Sequence, residues 1–262
     1  MMSCLGVCMA KKIESADGTK IAYDVAGTGP ALMLLHGAGK IRRDWHRIGY
    51  VNALSDRFTV IAVDIRGSGD SDFLTEIDDF SIEKVTGDLL LVADACEAHY
   101  FALWGYSFGG NIARYLGAWT DRVSAAAIIG VPFGPAVDEA FDRYIDQFMI
   151  KYGHLADAYR SGSQTEAQRK SNIKGRIPVW TACFQAMREW PSISPHEMRC
   201  PTMLLVGTKN NNVIRYVDDH RTDLEEAGVQ LEITDGLNHQ QEFSQVTKVL
   251  PLVRQFLEKH TR

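Results

Sequence analysis

The sequence has no long hydrophobic run and no excess of basic residues. Its longest uninterrupted apolar runs, such as residues 31–35 and 89–93, have five residues, far short of the ~20 needed to cross a bilayer. The 33 acidic side chains outnumber the 28 basic ones, which gives the 262 residues a net charge of −5. We therefore expect neither a membrane protein nor a nucleic-acid binder, since nucleic-acid binding usually requires a basic surface.

Cysteine is also scarce, and its spacing fits no metal finger and no CxxC motif. The five cysteines are Cys4, Cys8, Cys96, Cys183 and Cys200. We expect a reducing, cytoplasmic setting and no bound metal. The opening MMSCLGVCMAKK lacks the basic leader and apolar core of a secretion signal. Residues 1–11 are therefore expected to be a ragged N-terminus, with Met9 as a candidate for the effective start.

Short apolar segments alternate with longer helical patterns, which is typical of a mostly parallel sheet with helices on both faces. We predict an α/β fold with eight strands, at residues 12–15, 19–26, 31–35, 59–63, 100–104, 125–129, 202–206 and 230–234. The first two strands flank Asp17-Gly18, a hairpin signal. Helices are predicted at residues 44–55, 82–98, 109–118, 217–227 and 243–259. Pro251 is expected to kink or restart the last helix.

One interval, residues 132–199, contains no convincing strand. Because a structureless loop of that length is improbable in a compact domain, we predict an inserted helical cap between strands six and seven. The core domain then consists of residues 12–131 and 200–262. Nine aromatic residues fall in the interval, and Trp180 and Phe184 are candidates for the wall of an apolar substrate pocket. Docking of the cap on the core would equally require aromatic residues.

The most specific motif is GYSFG at residues 105–109, between a predicted strand and a predicted helix. A serine at such a sharp turn projects its hydroxyl above the sheet. Gly105 and Gly109 supply the room that the strained turn needs. Ser107 is therefore the predicted nucleophile.

A serine nucleophile needs a base to remove its proton. His239 is the candidate, because it follows the last predicted strand and can reach Ser107 from that end of the sheet. Two backbone N–H groups should face the oxyanion of the substrate, and we predict that Ala38 and Phe108 supply them. Gly37, which precedes Ala38, and Tyr106, which precedes Ser107, are predicted to contact the substrate.

These motifs together resemble the α/β-hydrolase family in its capped, single-domain form. The resemblance rests on HGAG at residues 36–39, the DIRGSGDS turn at residues 64–71, the elbow at Ser107 and the late His239. It extends over nearly all of the chain after residue 12. It implies a serine hydrolase that cleaves a carboxylic ester or lactone through an acyl-enzyme, without a metal or organic cofactor. It also implies a scaffold role for residues 64–71 and a helical cap at the strandless interval.

One position departs from the family pattern. The acid that orients the histidine is expected three residues after Gly207, where this chain has Asn210. An amide supplies no charge, and in a serine protease the equivalent Asp-to-Asn change lowers kcat about 10⁴-fold. We expect Asn210 to orient His239 imperfectly, and we expect Asn210→Asp to raise ester turnover. The other candidate acids are Asp138, Asp218, Asp219 and Asp235.

The sequence leaves three functions open. Besides ester or lactone hydrolysis, these are carbon–carbon bond hydrolysis with the same residues and ligand sensing or signalling on the hydrolase scaffold, which Asn210 favours. Ser107 argues against dehalogenase or epoxide hydrolase chemistry, for which relatives use aspartate at the elbow. The expected partner is a small-molecule ester or lactone, not a nucleic acid or a membrane. The acyl and alcohol groups and the oligomeric state stay open.

Overall fold

The apolar segments of the sequence form a single eight-stranded sheet. The structure, a computed structural model, describes residues 10–261, and for residues 172–175 it describes the backbone alone. The strands are β1 (Lys11–Glu14), β2 (Lys20–Ala26), β3 (Ala31–Leu35), β4 (Thr59–Val63), β5 (Phe101–Tyr106), β6 (Val123–Ile129), β7 (Thr202–Gly207) and β8 (Gln230–Thr234). Their order is β1-β2-β4-β3-β5-β6-β7-β8. β2 is antiparallel to both of its neighbours, β1 and β4, and the other pairs of neighbouring strands in the described sheet are parallel. This confirms the predicted mostly parallel α/β sheet.

Helices cover both faces of the sheet. They are α1 (Arg42–Arg47), α2 (Tyr50–Leu54), α3 (Ile82–Ala95), α4 (Phe108–Trp119), α5 (Glu139–Arg160), α6 (Glu166–Gly175), α7 (Ile177–Met187), α8 (Asn211–Asp219), α9 (Arg221–Glu226), α10 (Gln241–Ser244) and α11 (Val246–His260). Side chains alternate between the faces along each strand. Met33 therefore packs in the core under α3 and α4, whereas Leu32 and Leu34 pack in the core under α2 and α11.

Two predicted helices differ from those observed. The predicted helix at residues 44–55 is split into α1 and α2 by Gly49, whose φ of +94° interrupts the helix. The predicted restart at Pro251 is wrong, because α11 continues through this residue and the helices α10 and α11 are separated at Gln245 instead. Pro251 lies on the exposed side of α11, and so does Thr247, whose carbonyl loses its helical partner. Water can take that hydrogen bond, so the helix continues.

The interval predicted to lack strands is helical. It contains α5, α6, α7 and a short 3₁₀ helix at Pro195–Glu197. Where the chain leaves and re-enters the core, an isolated antiparallel bridge joins Gly134 to Ile193, with N–H to O distances of 2.8 and 3.1 Å. Within the described part of the interval no longer strand forms, so this bridge is the base of the helical segment.

The chain start is described only from residue 10. Cys4, Cys8 and the first nine residues of the predicted ragged N-terminus lie outside the described residues, and β1 begins at Lys11. Between residues 10 and 261, no helix combines the length and hydrophobicity that a membrane span requires.

Candidate active site

The nucleophile elbow lies between β5 and α4. Ser107 has φ +54° and ψ −116°, a strained backbone conformation of the kind that concentrates at functional sites. A Cβ at Gly105 would overlap the carbonyl of Gly109, and a Cβ at Gly109 would overlap the carbonyl of Leu35. The N–H of Ser107 donates to the carbonyl of Ile129 at 2.9 Å. The two glycines and this bond to β6 thus hold Ser107 at the carboxyl end of the sheet.

The structure brings His239 to this serine. Its Nε2 lies 2.9 Å from Ser107 Oγ, although 132 residues separate the two in the chain. The ring stacks on Tyr106, with centroids 5.1 Å apart, and the Tyr106 hydroxyl donates to the carbonyl of His239 at 2.8 Å. Burial raises the pKa of Tyr106 well above its usual value, and the charge of Glu242 adds to this. Tyr106 therefore stays a neutral donor that fixes the backbone of His239.

A carboxylate that the sequence analysis missed lies behind the histidine. Glu242 Oε2 is 2.9 Å from His239 Nδ1, and the N–H of Gly207 donates to Oε1 at 2.7 Å. Glu242 is 1% exposed and stands in α10, three residues after His239. His239 lies in the turn before α10, and this turn is closed by the hydrogen bond from the N–H of Glu242 to the carbonyl of Asn238. A Glu three residues after the histidine was the available signal. The arrangement is a serine, histidine and carboxylate in hydrogen-bonded series.

Asn210 also lies beside His239, but most of its hydrogen bonds are to the carboxylate of Glu242. Its Nδ2 donates to both oxygens of Glu242 at 3.0 Å and lies 3.2 Å from His239 Nδ1. When Nδ1 donates its proton to Glu242, it cannot also accept from an amide N–H. The hydrogen bond that Nδ1 makes is therefore the one to Glu242. Asn210 holds the carboxylate in place and does not act as the acceptor of the imidazole.

The four aspartates considered as alternative acids lie elsewhere. Asp138 accepts the N–H of Phe141 at 2.7 Å as the N-cap of α5, and Asp235 accepts the hydroxyl of Thr208 at 3.2 Å. Asp218 and Asp219 end α8. In the described part of the chain, none of the four makes a hydrogen bond to His239.

The two predicted oxyanion donors both border the cavity beside Ser107. Ala38 follows His36, a buried residue whose Nδ1 donates to the carbonyl of Gly37 at 2.9 Å. His36 Nε2 accepts from the N–H of Ile65 at 3.1 Å, and burial lowers the pKa of His36. A neutral imidazole thus fixes the loop that carries Ala38. Phe108, the first residue of α4, borders the same cavity.

A cavity of about 660 Å³ opens above Ser107 and His239. Much of its wall is apolar and comes from the segment between β6 and β7. These residues are Val131, Pro132, Pro135, Ala136, Ala140, Phe141, Tyr144, Phe184 and Met187. Of the four predicted substrate contacts, Tyr106 and Phe184 line the cavity. Gly37 lies behind the Tyr106 ring, and Trp180 packs edge-on against Phe108 with centroids 5.8 Å apart.

Comparison with known sequences identifies related hydrolases. The family model described as the alpha/beta hydrolase fold matches residues 30–168. Epoxide hydrolase 3 of Siraitia grosvenorii is 31% identical over 123 residues, which are 46% of this chain and 38% of that protein. The soluble epoxide hydrolase of Corynebacterium sp. strain C12 is 27% identical over 139 residues, 53% of this chain and 47% of that protein. The match thus spans less than half the length of these relatives.

Comparison with solved structures extends over almost the whole chain. A thermophilic esterase from Thermogutta terrifontis superposes with a TM-score of 0.75 at 21% identity, covering 96% of this chain and 99% of that one. The enol-lactonase from Burkholderia xenovorans LB400 gives 0.72 at 19% identity, covering 95% and 100%. At these identities the likeness is one of fold. Because the family model matches more than half of the chain, this protein belongs to the α/β-hydrolase family.

Proposed function

We propose that the protein is a serine hydrolase that cleaves a carboxylic ester or lactone through an acyl-enzyme. The observation that carries the proposal is the hydrogen-bonded series of three side chains. Ser107 Oγ lies 2.9 Å from His239 Nε2, and His239 Nδ1 lies 2.9 Å from Glu242 Oε2. A serine in hydrogen-bond contact with a base that a third group orients is the arrangement that activates a hydroxyl for acyl transfer.

The steps follow from this geometry. As Ser107 Oγ attacks the carbonyl carbon, His239 Nε2 takes its proton, and Glu242 stabilises the imidazolium. The backbone amides of Ala38 and Phe108 hold the developing oxyanion. His239 then gives the proton to the departing alcohol oxygen, and in the second half it deprotonates the water that releases the acid.

The side chain at the elbow favours esters and lactones over epoxides. The two sequence relatives compared above carry the name epoxide hydrolase, and the family resemblance gives such enzymes an aspartate at the elbow. This chain has Ser107 there. The esterase and the enol-lactonase share its fold. A hydroxyl nucleophile therefore supports acyl transfer as the chemistry of this site, with a small-molecule ester or lactone as substrate.

We further propose that residues 132–199 are a cap on a core made of residues 12–131 and 200–262. Phe141 from α5 and Phe184 and Met187 from α7 line the cavity above Ser107. An apolar wall from this segment would exclude water from the reacting carbonyl and pack against the methylene chain of the acyl group. Trp180 supports that wall from behind, with its ring 5.6 Å from the ring of Phe184.

Labelling with a fluorophosphonate and hydrolysis of 4-nitrophenyl esters test the proposal together. We expect labelling and turnover of the native chain and the loss of both in Ser107→Ala. Ser244→Ala removes an exposed hydroxyl in α10 and serves as the control that keeps both. If the native chain neither reacts with the probe nor turns over esters, the proposal is wrong and ligand sensing takes its place. Labelling that survives in Ser107→Ala would equally overturn it.

A further inference from the structure

A buried cation lies directly behind the cavity. Arg114 in α4 is 0% exposed, and none of the described carboxylates pairs with it. Its Nη1 donates to the carbonyls of Pro132 and Gly134 at 2.5 and 3.2 Å, and its Nη2 donates to Oδ1 of Asn111. Its Nε has no hydrogen-bond partner within the described structure. Burial lowers the pKa of Arg114 to about 10, so the side chain still carries its charge at neutral pH.

This cation sets the orientation of the neighbouring amide. A guanidinium has only donors, so the atom of Asn111 that accepts from Arg114 must be its carbonyl oxygen. The Nδ2 group of Asn111 then faces away from Arg114. Asn111 is 8% exposed and borders the cavity, and its Nδ2 makes no hydrogen bond to any described residue. The fold thus presents an amide donor, polarised by a buried positive charge, to the substrate.

Asn111 also stands close to the reacting centre. It lies four residues after Ser107, and its backbone N–H donates to the carbonyl of Ser107 at 2.9 Å. Both residues border the same cavity. A substrate can therefore contact Asn111 with its acyl group while its carbonyl carbon lies at Ser107 Oγ.

None of the other described charges around the cavity forms an ion pair with Arg114. Asp138 is the one described carboxylate in the lining; it keeps its negative charge, and its Oδ1 accepts from the N–H of Phe141 at the start of α5. Lys40 adds a second cation, with Nζ 4.6 Å from the centroid of the Phe243 ring and no ion pair among the described residues. Glu242 lies on the opposite side of the reacting pair, behind His239.

We infer that the substrate's acyl group carries a carboxylate that binds to Asn111 Nδ2 in the field of Arg114. The inference rests on the proposed ester or lactone hydrolysis. A carboxylate supplies the counter-charge that Arg114 lacks, whereas a neutral acceptor leaves the buried cation uncompensated. A hydrogen bond to a charged group contributes about 1.5–3 kcal/mol, which is about tenfold or more in selectivity.

Three 4-nitrophenyl esters of equal acyl length test this preference. They are the monoester of adipic acid, the same compound with its free acid methylated, and the hexanoate. We expect kcat/KM for the adipate monoester to exceed that for its methyl ester by about tenfold or more. Both compounds offer a carbonyl oxygen as acceptor at the end of the chain, and only the acid is charged. The ratio of their kcat/KM values therefore measures the effect of the negative charge. Equal values for the acid and its methyl ester would overturn the inference.

Variants of Asn111 test whether this residue causes the preference for the acid over its methyl ester. Asn111→Asp keeps an acceptor for Arg114 but places a carboxylate beside the substrate, so the preference for the acid should disappear or reverse. Asn111→Leu removes the donor and should also reduce the ratio of the two kcat/KM values. Asn212→Leu is the matched control, because Asn212 borders the same cavity from α8 without contact to Arg114. A ratio that stays the same in both Asn111 variants would assign Asn111 a purely structural role.

A binding measurement separates this inference from the proposed function. If no ester is hydrolysed by the native chain, the serine-hydrolase proposal fails on its own. Titration of Ser107→Ala with monomethyl adipate and with methyl hexanoate then tests the carboxylate site without turnover. Tighter binding of the anion, lost in Asn111→Asp, supports the inference, and equal binding of the two ligands contradicts it.

Discussion

Glu242 makes the contact with His239 that the family pattern gives to the residue at position 210. Its carboxylate makes the contact with His239 Nδ1, and Asn210 and the N–H of Gly207 hold that carboxylate. In the proposed mechanism, Glu242 takes the role of the missing aspartate. The hydrogen-bonded series is complete, but its third member comes from α10 instead of the loop after β7.

Glu242→Gln should therefore lower kcat sharply. The amide cannot stabilise the imidazolium, and in serine proteases the equivalent change costs about 10⁴-fold in kcat. We expect a loss of that order in 4-nitrophenyl ester hydrolysis with KM little changed. Glu225→Gln, at an exposed position of α9, is the control for a change of charge alone. A kcat close to that of the native chain would remove Glu242 from the mechanism.

The geometry reverses the sequence-based expectation for Asn210→Asp. An aspartate there would place a second carboxylate where Asn210 Nδ2 now lies, 3.0 Å from both oxygens of Glu242, and two carboxylates that close cannot both ionise. The single variant also loses the donor that holds Glu242. We expect kcat at neutral pH to fall.

The double variant Asn210→Asp with Glu242→Gln provides the decisive comparison for this pair. It restores one carboxylate and one amide with their positions exchanged, so it should turn over esters faster than Glu242→Gln alone, by about tenfold or more. An increase of kcat in Asn210→Asp alone would mean that position 210 is the true acid site.

At the scale of elements, the end of β6 must leave room for the histidine and its acid. Gly130 follows β6 with φ +73°, and a Cβ there would overlap Glu242 Oε2 and lie 2.9 Å from His239 Nδ1. Gly228 has the same φ of +73° but open space around it. An L-residue would therefore be strained at both positions, but its Cβ would clash only at position 130.

The variants Gly130→Ala and Gly228→Ala should distinguish the effect of backbone strain on stability from the effect of a clash on catalysis. Each change forces an L-residue into the left-handed region, at a cost of about 1–2 kcal/mol in the free energy of unfolding. Gly130→Ala should in addition lose most of its kcat because it displaces the carboxylate from the imidazole. Thermal unfolding and ester hydrolysis of both variants check this. Equal kcat in Gly130→Ala and Gly228→Ala would show that the pocket at β6 tolerates a methyl group.

The sequence predicted those elements whose cause is local. The apolar run at residues 31–35 has no helical pattern around it and forms a buried strand, whereas the equally long run at residues 89–93 lies within the helical pattern of α3. Gly105 and Gly109 likewise indicate the turn at Ser107 from the local sequence. Glu242 was missed because its role depends on contacts across the fold, with Gly207 of β7 and Asn210 before α8. The restart expected at Pro251 is absent for a related reason, since which side of α11 is exposed depends on the tertiary structure.

At the scale of the whole molecule, side chains of the helical segment bind to the core at separate points. The bridge between Gly134 and Ile193 closes the base of the segment. Next to this base, Trp190 Nε1 donates to the carbonyl of Phe80 in the core at 3.0 Å. Farther out, the guanidinium of Arg176 donates to the carbonyls of Gly67 and Gly69, in the turn after β4. Arg176 directly precedes α7, which carries Phe184 and Met187 into the cavity. The turn at residues 64–71 therefore also helps to position the substrate-facing wall.

Arg176→Met should loosen this wall while leaving the sheet intact. The variant keeps the aliphatic bulk of the side chain but loses the hydrogen bonds to the turn, so the backbone of α7 should exchange its amide hydrogens faster while β3 to β7 stay protected. Because α7 lines the cavity, KM for the preferred ester should rise more than kcat falls.

Arg188→Met is the matched control, since Arg188 pairs with Asp142 and Asp146 inside the helical segment and not with the core. Hydrogen exchange and ester kinetics of both variants decide the matter. If the two arginine variants behave alike, the tether to the turn has no special role, and the wall owes its position to its apolar contacts with the core.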